Sequence, residues 1–474
     1  MKYFTPKKYY YRIHHIRPRF KKNPESVLFF LSNALSTLAP AQKAVFNKTF
    51  NRHIRMYPGN ANKTDKSIAN WRTEISGLFS LIQYEKNGRI CIPSKMSTEL
   101  SKNQDLVEFF RKFLITFQYP GGHLKPHVAI NMIRNGIKFQ PAIFILNLLK
   151  IQYELGSEKF GITGDEAAHF IFNDLRVTAL GSTPEEVIHR IEIFRKDYSG
   201  FGLHGNYKKG DTVRYAKDIL DYMIFGGLLT KEGDRYTINN NYSELIDNFL
   251  SSARWFHGYD IFYDTDTIPK PMINELVYSW HNYVNDFSID IDLRADVFKH
   301  IEELHHKGSS DASTIYTSLK SSQDEEDRPS PYEIGRKGEN YIELHEKNKL
   351  INEEKNELAE NVEDVSAQKI GYDIHSFFSN ADEKLIEVKT TISTADLVFH
   401  QFTLTSNEWR NADLSRESYF VYRLIINKDK IRLFIIQDPV GKYRNDDDDI
   451  NIIPTGDLVI SFKETAGYWE KLTL

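Results

Sequence analysis

A single cysteine, Cys91, in 474 residues leaves no internal disulfide framework and no Cys-based zinc cluster. That scarcity points to a reducing compartment. Long apolar runs are missing too: the greasiest stretch, Pro141 to Leu149, is about half of what a bilayer span needs. The opening MKYFTPKKYYYRIHHIRPRFKK has no apolar core after its basic residues, so it does not read as a secretory signal. The expectation is a soluble, cytoplasmic protein with no membrane partner. No Walker loop, no GxGxxG after a strand and no Ser/His/Asp arrangement occurs, which argues against ATP dependence and serine-type hydrolysis.

What is present suits a multidomain globular chain. Hydrophobic residues make up 41% and charged residues 27%, enough for about three folded units with their own cores. The net charge of −4 conceals a polarity. Tyr332 to Leu474 carries 18 Lys and Arg against 27 Asp and Glu, a balance of −9 that leaves +5 for the residues before it. Residues 1–22 hold eight cations and no acid, an electrostatic footprint for a polyanion or a plain solubility feature.

Organisation can be read from turn and cap signals. Asn23-Pro24-Glu25-Ser26 before VLFFLSNALSTL reads as a capped helix start. Lys66 to Phe79 is helical in period and runs into two short β-prone segments around Asn87-Gly88, a hairpin signal because both turn positions need positive φ. The pattern returns downstream. Thr163 to Glu166 forms a capping box, Pro184 opens a helix, and a helix from Asp211 leads into a hairpin around Glu232-Gly233-Asp234. A helix followed at once by a hairpin is how a winged helix ends. The segment KGSSDASTIYTSLKSSQDEEDRPSP reads as a linker. The C-terminal remainder reads as α/β: a helix from about Tyr332 to Ala359, strands over Gly371 to Phe377 and Lys384 to Thr391, a capped helix at Thr405 and two more strands joined through Lys428-Asp429. The expected domains are winged-helix units over 1–115, with a basic N-terminal arm, and 116–255, a helical connector and linker over 256–330, and an α/β domain with a mixed central sheet over 331–474.

Asp373 in GYDI and Glu387 and Lys389 in IEVK carry the chemistry. On a strand Glu387 and Lys389 share one face while Ile386 and Val388 turn to the core, and a neighbouring strand about 4.8 Å away brings Asp373 close to Glu387. Two hard carboxylates suit Mg²⁺ that keeps several of its waters, with Mn²⁺ as a substitute, and Lys389 can position a nucleophile or offset transition-state charge. Glu339, on the preceding helix, can complete the metal shell or orient a water. Charged residues on a solvent-facing strand, making a surface salt bridge, produce the same D…ExK letters.

The segment GRKGENYIELHE…GYDIHSF…EKLIEVKTT…FTLTSNEW…YFVYRLI resembles, over about residues 331–437, the C-terminal domain family of the plant protein NO VEIN, found also in prokaryotic restriction and defence proteins. That resemblance implies a PD-(D/E)xK nuclease fold, with Glu339 as the helix acid, Asp373 and Glu387 as metal ligands and Lys389 as the lysine. Gln401 falls where relatives carry an extra polar residue, and the family's proline is replaced by Tyr372. FRKFLITFQYP, PAIFILNLLK, EEVIHRIEIFRK and AKDILDYMIFGGLLTKEGDRYTIN, within about residues 105–250, resemble the winged-helix recognition region of type IIS restriction and nicking endonucleases.

Base reading needs Arg, Lys, Asn or Gln on a recognition helix. Lys66, Asn70 and Arg72 cluster in the first helical unit, and Lys208, Lys209 and Arg214 in the second; a solvated helix face gives the same pattern. His14-His15 and His305-His306 point apart on either regular element and make poor metal clamps. Asp446 to Asp449 reads as a solvated loop. Together these readings imply a type II restriction endonuclease acting on double-stranded DNA, a homodimer when it cuts, with a cognate methyltransferase in the same system. Rival readings are a nuclease requiring methylated cytosine, a DNA-binding regulator with an inactive nuclease fold, and an RNA-directed nuclease.

Overall fold

The computed structural model describes the chain except residues 17–23, 58, 104, 157–159, 205–208, 241–242, 266, 287–330, 369, 393–400, 427–430, 446–448 and 455–457. Most of the expected linker, the Lys428-Asp429 turn, His305-His306 and Asp446 to Asp448 therefore lie outside the described residues. The described helices include none long and apolar enough to cross a membrane.

The chain divides into two compact units that interleave in sequence: one of residues 1–21, 38–98 and 107–295, the other of 22–37, 99–106 and 296–474. The second unit thus takes two segments, 22–37 and 99–106, from inside the stretch expected to form the first domain.

The first unit is helix-rich and contains two small three-stranded sheets of the same order. In one, Ala41–Gln42 pairs with Ile90–Pro93, which pairs with Ile82–Glu85; in the other, Ile162–Thr163 pairs with Arg235–Ile238, which pairs with Leu229–Glu232. In each a short strand precedes the helices and closes onto the later hairpin. The first hairpin turns through four residues rather than the two expected: Lys86, Asn87 and Gly88 all take positive φ. Glycine is required at 88, where a Cβ would lie 2.1 Å from the Tyr278 ring. The helix before this hairpin runs from Asp65 to Leu78 with a wider π turn at Trp71–Ile75, and Ile68, Trp71 and Ile75 are buried. Thr163 and Glu166 form the expected capping box.

Aromatic rings fill the middle of this unit. Helix Leu106–Thr116 presents Phe113 to Phe79 at 4.8 Å between centroids and stacks Phe110 on Tyr222 at 5.6 Å. The described part of the N-terminal arm packs on residues expected in the second winged unit. Lys2–Tyr3 pairs in parallel with Gly200–Phe201, Tyr3 stacks on Phe170, and the Thr5 hydroxyl donates to the His169 carbonyl. His15 is buried and shares a 3.0 Å hydrogen bond with the Tyr119 hydroxyl.

In the second unit, helix α1 (Pro24–Ser36) buries every residue from Leu28 to Leu35, the polar Ser32 and Asn33 among them. Helix α2 (Pro331–Asn352) ends earlier than the sequence period suggests, because Glu354 turns left-handed before a short helix at Asn356–Glu360. The strands are β1 (Glu363–Asp364), β2 (Ile374–Phe377), β3 (Glu383–Ile392), β4 (Gln401–Leu404), β5 (Tyr419–Ile426), β6 (Ile431–Gln437), β7 (Ile450–Pro454), β8 (Leu458–Phe462) and β9 (Tyr468–Glu470), with helix α3 (Ser406–Ser415) between β4 and β5. Six of them form one sheet in the order β9-β6-β5-β3-β2-β1. The β3–β5 pair is parallel and its other pairs are antiparallel, so the central sheet is mixed, as expected. β4, β8 and β7 form a second sheet whose Phe402, Leu404, Ile460 and Phe462 pack with Tyr419, Val421, Phe434 and Ile436 in one core. All eight residues of β5 are buried, so β3, its neighbour, runs through the interior rather than along a solvent face.

Candidate active site

β3 and its surroundings bring four of the expected residues together. Asp373 precedes β2; its N–H donates to the Ile386 carbonyl at 2.9 Å, and its Oδ2 accepts the Val388 N–H at 2.8 Å. The carboxylate is thereby pinned between Glu387 and Lys389. The Lys389 ammonium donates to Glu387 Oε1 at 2.5 Å and to Glu408 Oε2 at 3.1 Å, so the shared face inferred from strand alternation holds. Solvent exposure of that face does not hold: Glu387 is only 3% exposed, which removes the simple surface salt bridge as an explanation.

Glu339 reaches the cluster because α2 lies tight against β3. Gly338 makes this approach: a Cβ there would fall 1.9 Å from the Thr390 hydroxyl oxygen. Glu339 Oε2 is buried and has no hydrogen-bond partner among the described residues.

The electrostatics follow from crowding carboxylates around one ammonium. Burial raises the Glu387 carboxyl well above the ordinary range, and neighbouring Asp373 and Glu408 add to it against the pull of Lys389. Asp373 is raised by burial as well, with Lys389 and the Val388 N–H opposing. Glu339 is pushed up to about 7, by burial first and then by Asp373. Burial works against the Lys389 charge, yet Glu387, Glu408 and Asp373 outweigh it and raise its pKa. Three carboxyls of the site are thus held toward their protonated form beside the Lys389 ammonium.

That donor set fits a divalent cation of the Mg²⁺ kind. Among the described residues no three His, Cys, Asp or Glu side chains form a ready-made cage. Mg²⁺ asks for none: it is typically held by one or two carboxylates and keeps its remaining waters. Asp373, Glu387 and the unpartnered oxygen of Glu339 supply hard oxygens of that type.

The expected DNA-contact residues belong to the first unit. Lys66 is exposed and Asn70 half-buried on the helix before the first hairpin. Arg72 is also half-buried; it donates to Asn51 Oδ1 at 2.6 Å, and desolvation lowers its pKa. Arg214 is exposed on helix Lys209–Phe225, while Lys208 and the Lys209 side chain lie outside the described residues. Gln401 is buried with neither amide atom partnered among the described residues; alternation puts it on the face of Thr403, which accepts from Asn33 of α1, opposite the core face of Phe402 and Leu404. Glu408 closes the cap of the helix that starts after Thr405, and nothing in TSNEW signals its second contact, with Lys389.

A family model described as restriction endonuclease BpuJI, N-terminal, matches residues 3–281. The chain belongs to this family. It is a type II restriction endonuclease-like protein. In this restriction endonuclease family member a second model, that of protein NO VEIN, C-terminal, matches residues 339–436, which contain all four clustered residues. A crystal structure of pyrene- and phenanthrene-modified DNA in complex with the BpuJ1 endonuclease binding domain aligns with a TM-score of 0.50 at 21% identity, covering 58% of this chain and 96% of that one. That likeness concerns the fold. No curated protein matches.

Proposed function

We propose that this chain is a site-specific double-stranded DNA endonuclease of the restriction type, cutting with a PD-(D/E)xK-type site. The observation that carries the reading is the cluster of buried Glu387 with half-buried Asp373, Lys389 and Glu339 on and beside β3, in a chain of a restriction endonuclease family. In this reading the two hairpin-bearing parts of the first unit act as winged helices on DNA, as the relative crystallised with DNA suggests. Lys66, Asn70, Arg72, Lys208, Lys209 and Arg214 are the candidate contacts.

Asp373 and Glu387 would hold Mg²⁺, or Mn²⁺ in its place, with Glu339 orienting a water. An ion bound there would supply charge to offset the scissile phosphate and would acidify a water. Lys389 places its ammonium where the attacking water and a phosphate oxygen meet, and donates hydrogen bonds to the developing charge. Each site cuts one strand, so double-strand cleavage calls for two copies, a homodimer at the moment of cutting, and a cognate methyltransferase protects the host site.

The test incubates the full chain with plain and cytosine-methylated preparations of one plasmid, with Mg²⁺ or EDTA, beside Glu387→Ala. Discrete Mg²⁺-dependent fragments lost in the variant are expected, and the preparation that is cut tells whether methylation is required. Undiminished cutting by Glu387→Ala, or no cutting of either plasmid, overturns the proposal.

A further inference from the structure

Glu408 occupies the third position of α3, where its carboxylate closes a capping box with Thr405. Its Oε2 accepts the Thr405 N–H at 2.9 Å, and the same oxygen accepts the Lys389 ammonium at 3.1 Å. A capping box works equally well with Gln at this position, because it needs a side-chain oxygen and no charge. The box therefore accounts for the acceptor, and the helix N-terminus favours a carboxylate there.

The contact with Lys389 gives that carboxylate a second partner. A lysine is a point charge on a flexible four-carbon stem and keeps no orientation of its own. Lys389 has two anionic partners, Glu387 and Glu408, and they differ in one respect. Glu387 lies beside Asp373 in the proposed ion site, whereas Glu408 is held through the same oxygen by the Thr405 backbone N–H at the start of its own helix. Both groups of the Lys389–Glu408 pair are largely shielded, at 17% exposure each, so their attraction is weakly screened.

We propose that Glu408 is a positioning residue for the cutting reaction, an anchor that fixes the Lys389 ammonium when Glu387 turns its oxygens to a cation. This rests on the nuclease reading of the site. Glu408 touches neither substrate nor ion in this scheme and acts only through Lys389.

Glu408→Gln separates the two duties, since Gln keeps the cap and removes the charge. The experiment measures steady-state cleavage, thermal unfolding and DNA affinity of the full chain as wild type, Glu408→Gln and Glu387→Ala. A fall in kcat of about tenfold to a hundredfold is expected for Glu408→Gln, the size for losing a charge-assisted hydrogen bond, with KM for DNA and Tm unchanged. Wild-type kcat in Glu408→Gln overturns the proposal if Glu387→Ala is inactive, and so does a loss of kcat that only follows a matching fall in Tm. Full activity in Glu387→Ala overturns the nuclease reading itself, and this inference with it.

Discussion

Asn33 and Thr403, 370 positions apart, share a hydrogen bond: the Asn33 amide donates to the Thr403 hydroxyl at 3.1 Å. The Asn33 carbonyl oxygen also accepts from Ser101 at 2.7 Å, so one side chain ties both early segments of the second unit to its β4 strand. The unit that carries Asp373 and Glu387 is therefore not made by the last third of the chain alone. α1 is one of its internal parts.

Leu31, fully buried on α1, tests this dependence. Leu31→Ala is expected to cost the second unit about 2–5 kcal/mol, the usual range for emptying a core leucine site. Urea unfolding followed by two probes, near-UV signal and cleavage activity, checks it. Activity lost at lower urea than in wild type supports the role of α1; an unchanged midpoint for activity removes it.

Much of this was legible in the sequence, and the exceptions have physical causes. Gly88, Gly233 and the boxes at Thr163 and Thr405 are local devices, readable because the residue types answer to backbone geometry a few positions away. Asp373, Glu387 and Lys389 were readable because strand alternation fixes who shares a face. The home of α1 was not: its run of apolar residues announces burial without saying where, and only long-range contacts decide it. The covering of the Glu387 face and the second contact of Glu408 depend on elements that close over β3 from other parts of the sheet order.

A second buried charge lies apart from the candidate site. Glu346 accepts from Lys384 at 2.9 Å, from the Tyr422 hydroxyl at 2.7 Å and from Ser376 at 2.8 Å. Burial works to raise the Glu346 carboxyl, and these donors override it and lower it, while burial lowers the Lys384 ammonium against the pull of Glu346. Lys384→Met leaves an uncompensated carboxylate in the interior and is expected to cost about 3–5 kcal/mol. Chemical denaturation of the variant checks this; a loss under about 1 kcal/mol, the value of an exposed pair, would show that the carboxylate is not confined there.

Acid sensitivity has a definite source in Glu470. Hydrogen bonds from His345 and Lys349, with burial opposing, hold its carboxyl at about 2. A carboxyl depressed below its unfolded value contributes stability that is complete above the unfolded pKa, near 4.5, and is lost as pH falls through 4.5 towards 2. Glu470→Gln should therefore flatten the fall of Tm between pH 5 and pH 3, intervals chosen as roughly bracketing ordinary carboxyl titration. Parallel curves for wild type and variant would assign acid unfolding to other groups.

The proposed ion site can be examined without any cutting. Asp373 Oδ2 accepts the Val388 N–H, and an asparagine oxygen can accept it equally well, so Asp373→Asn preserves the local backbone bond while removing the charge an ion would use. In the wild type burial raises Glu339, Asp373 and Glu387, the Asp373 charge adds to the rise at Glu339 and Glu387, and a cation bound there would favour their charged forms. Added Mg²⁺ is expected to raise the wild-type Tm, because a ligand that binds only the folded state stabilises it by mass action: about 2.7 kcal/mol at a hundredfold excess over its Kd. Asp373→Asn should lose the Mg²⁺ response while retaining, or exceeding, the wild-type Tm in EDTA, since one repelling charge has gone. An equal Mg²⁺ shift in both proteins would place the ion elsewhere and leave the carboxylate cluster as an internal strain that the fold tolerates for another reason.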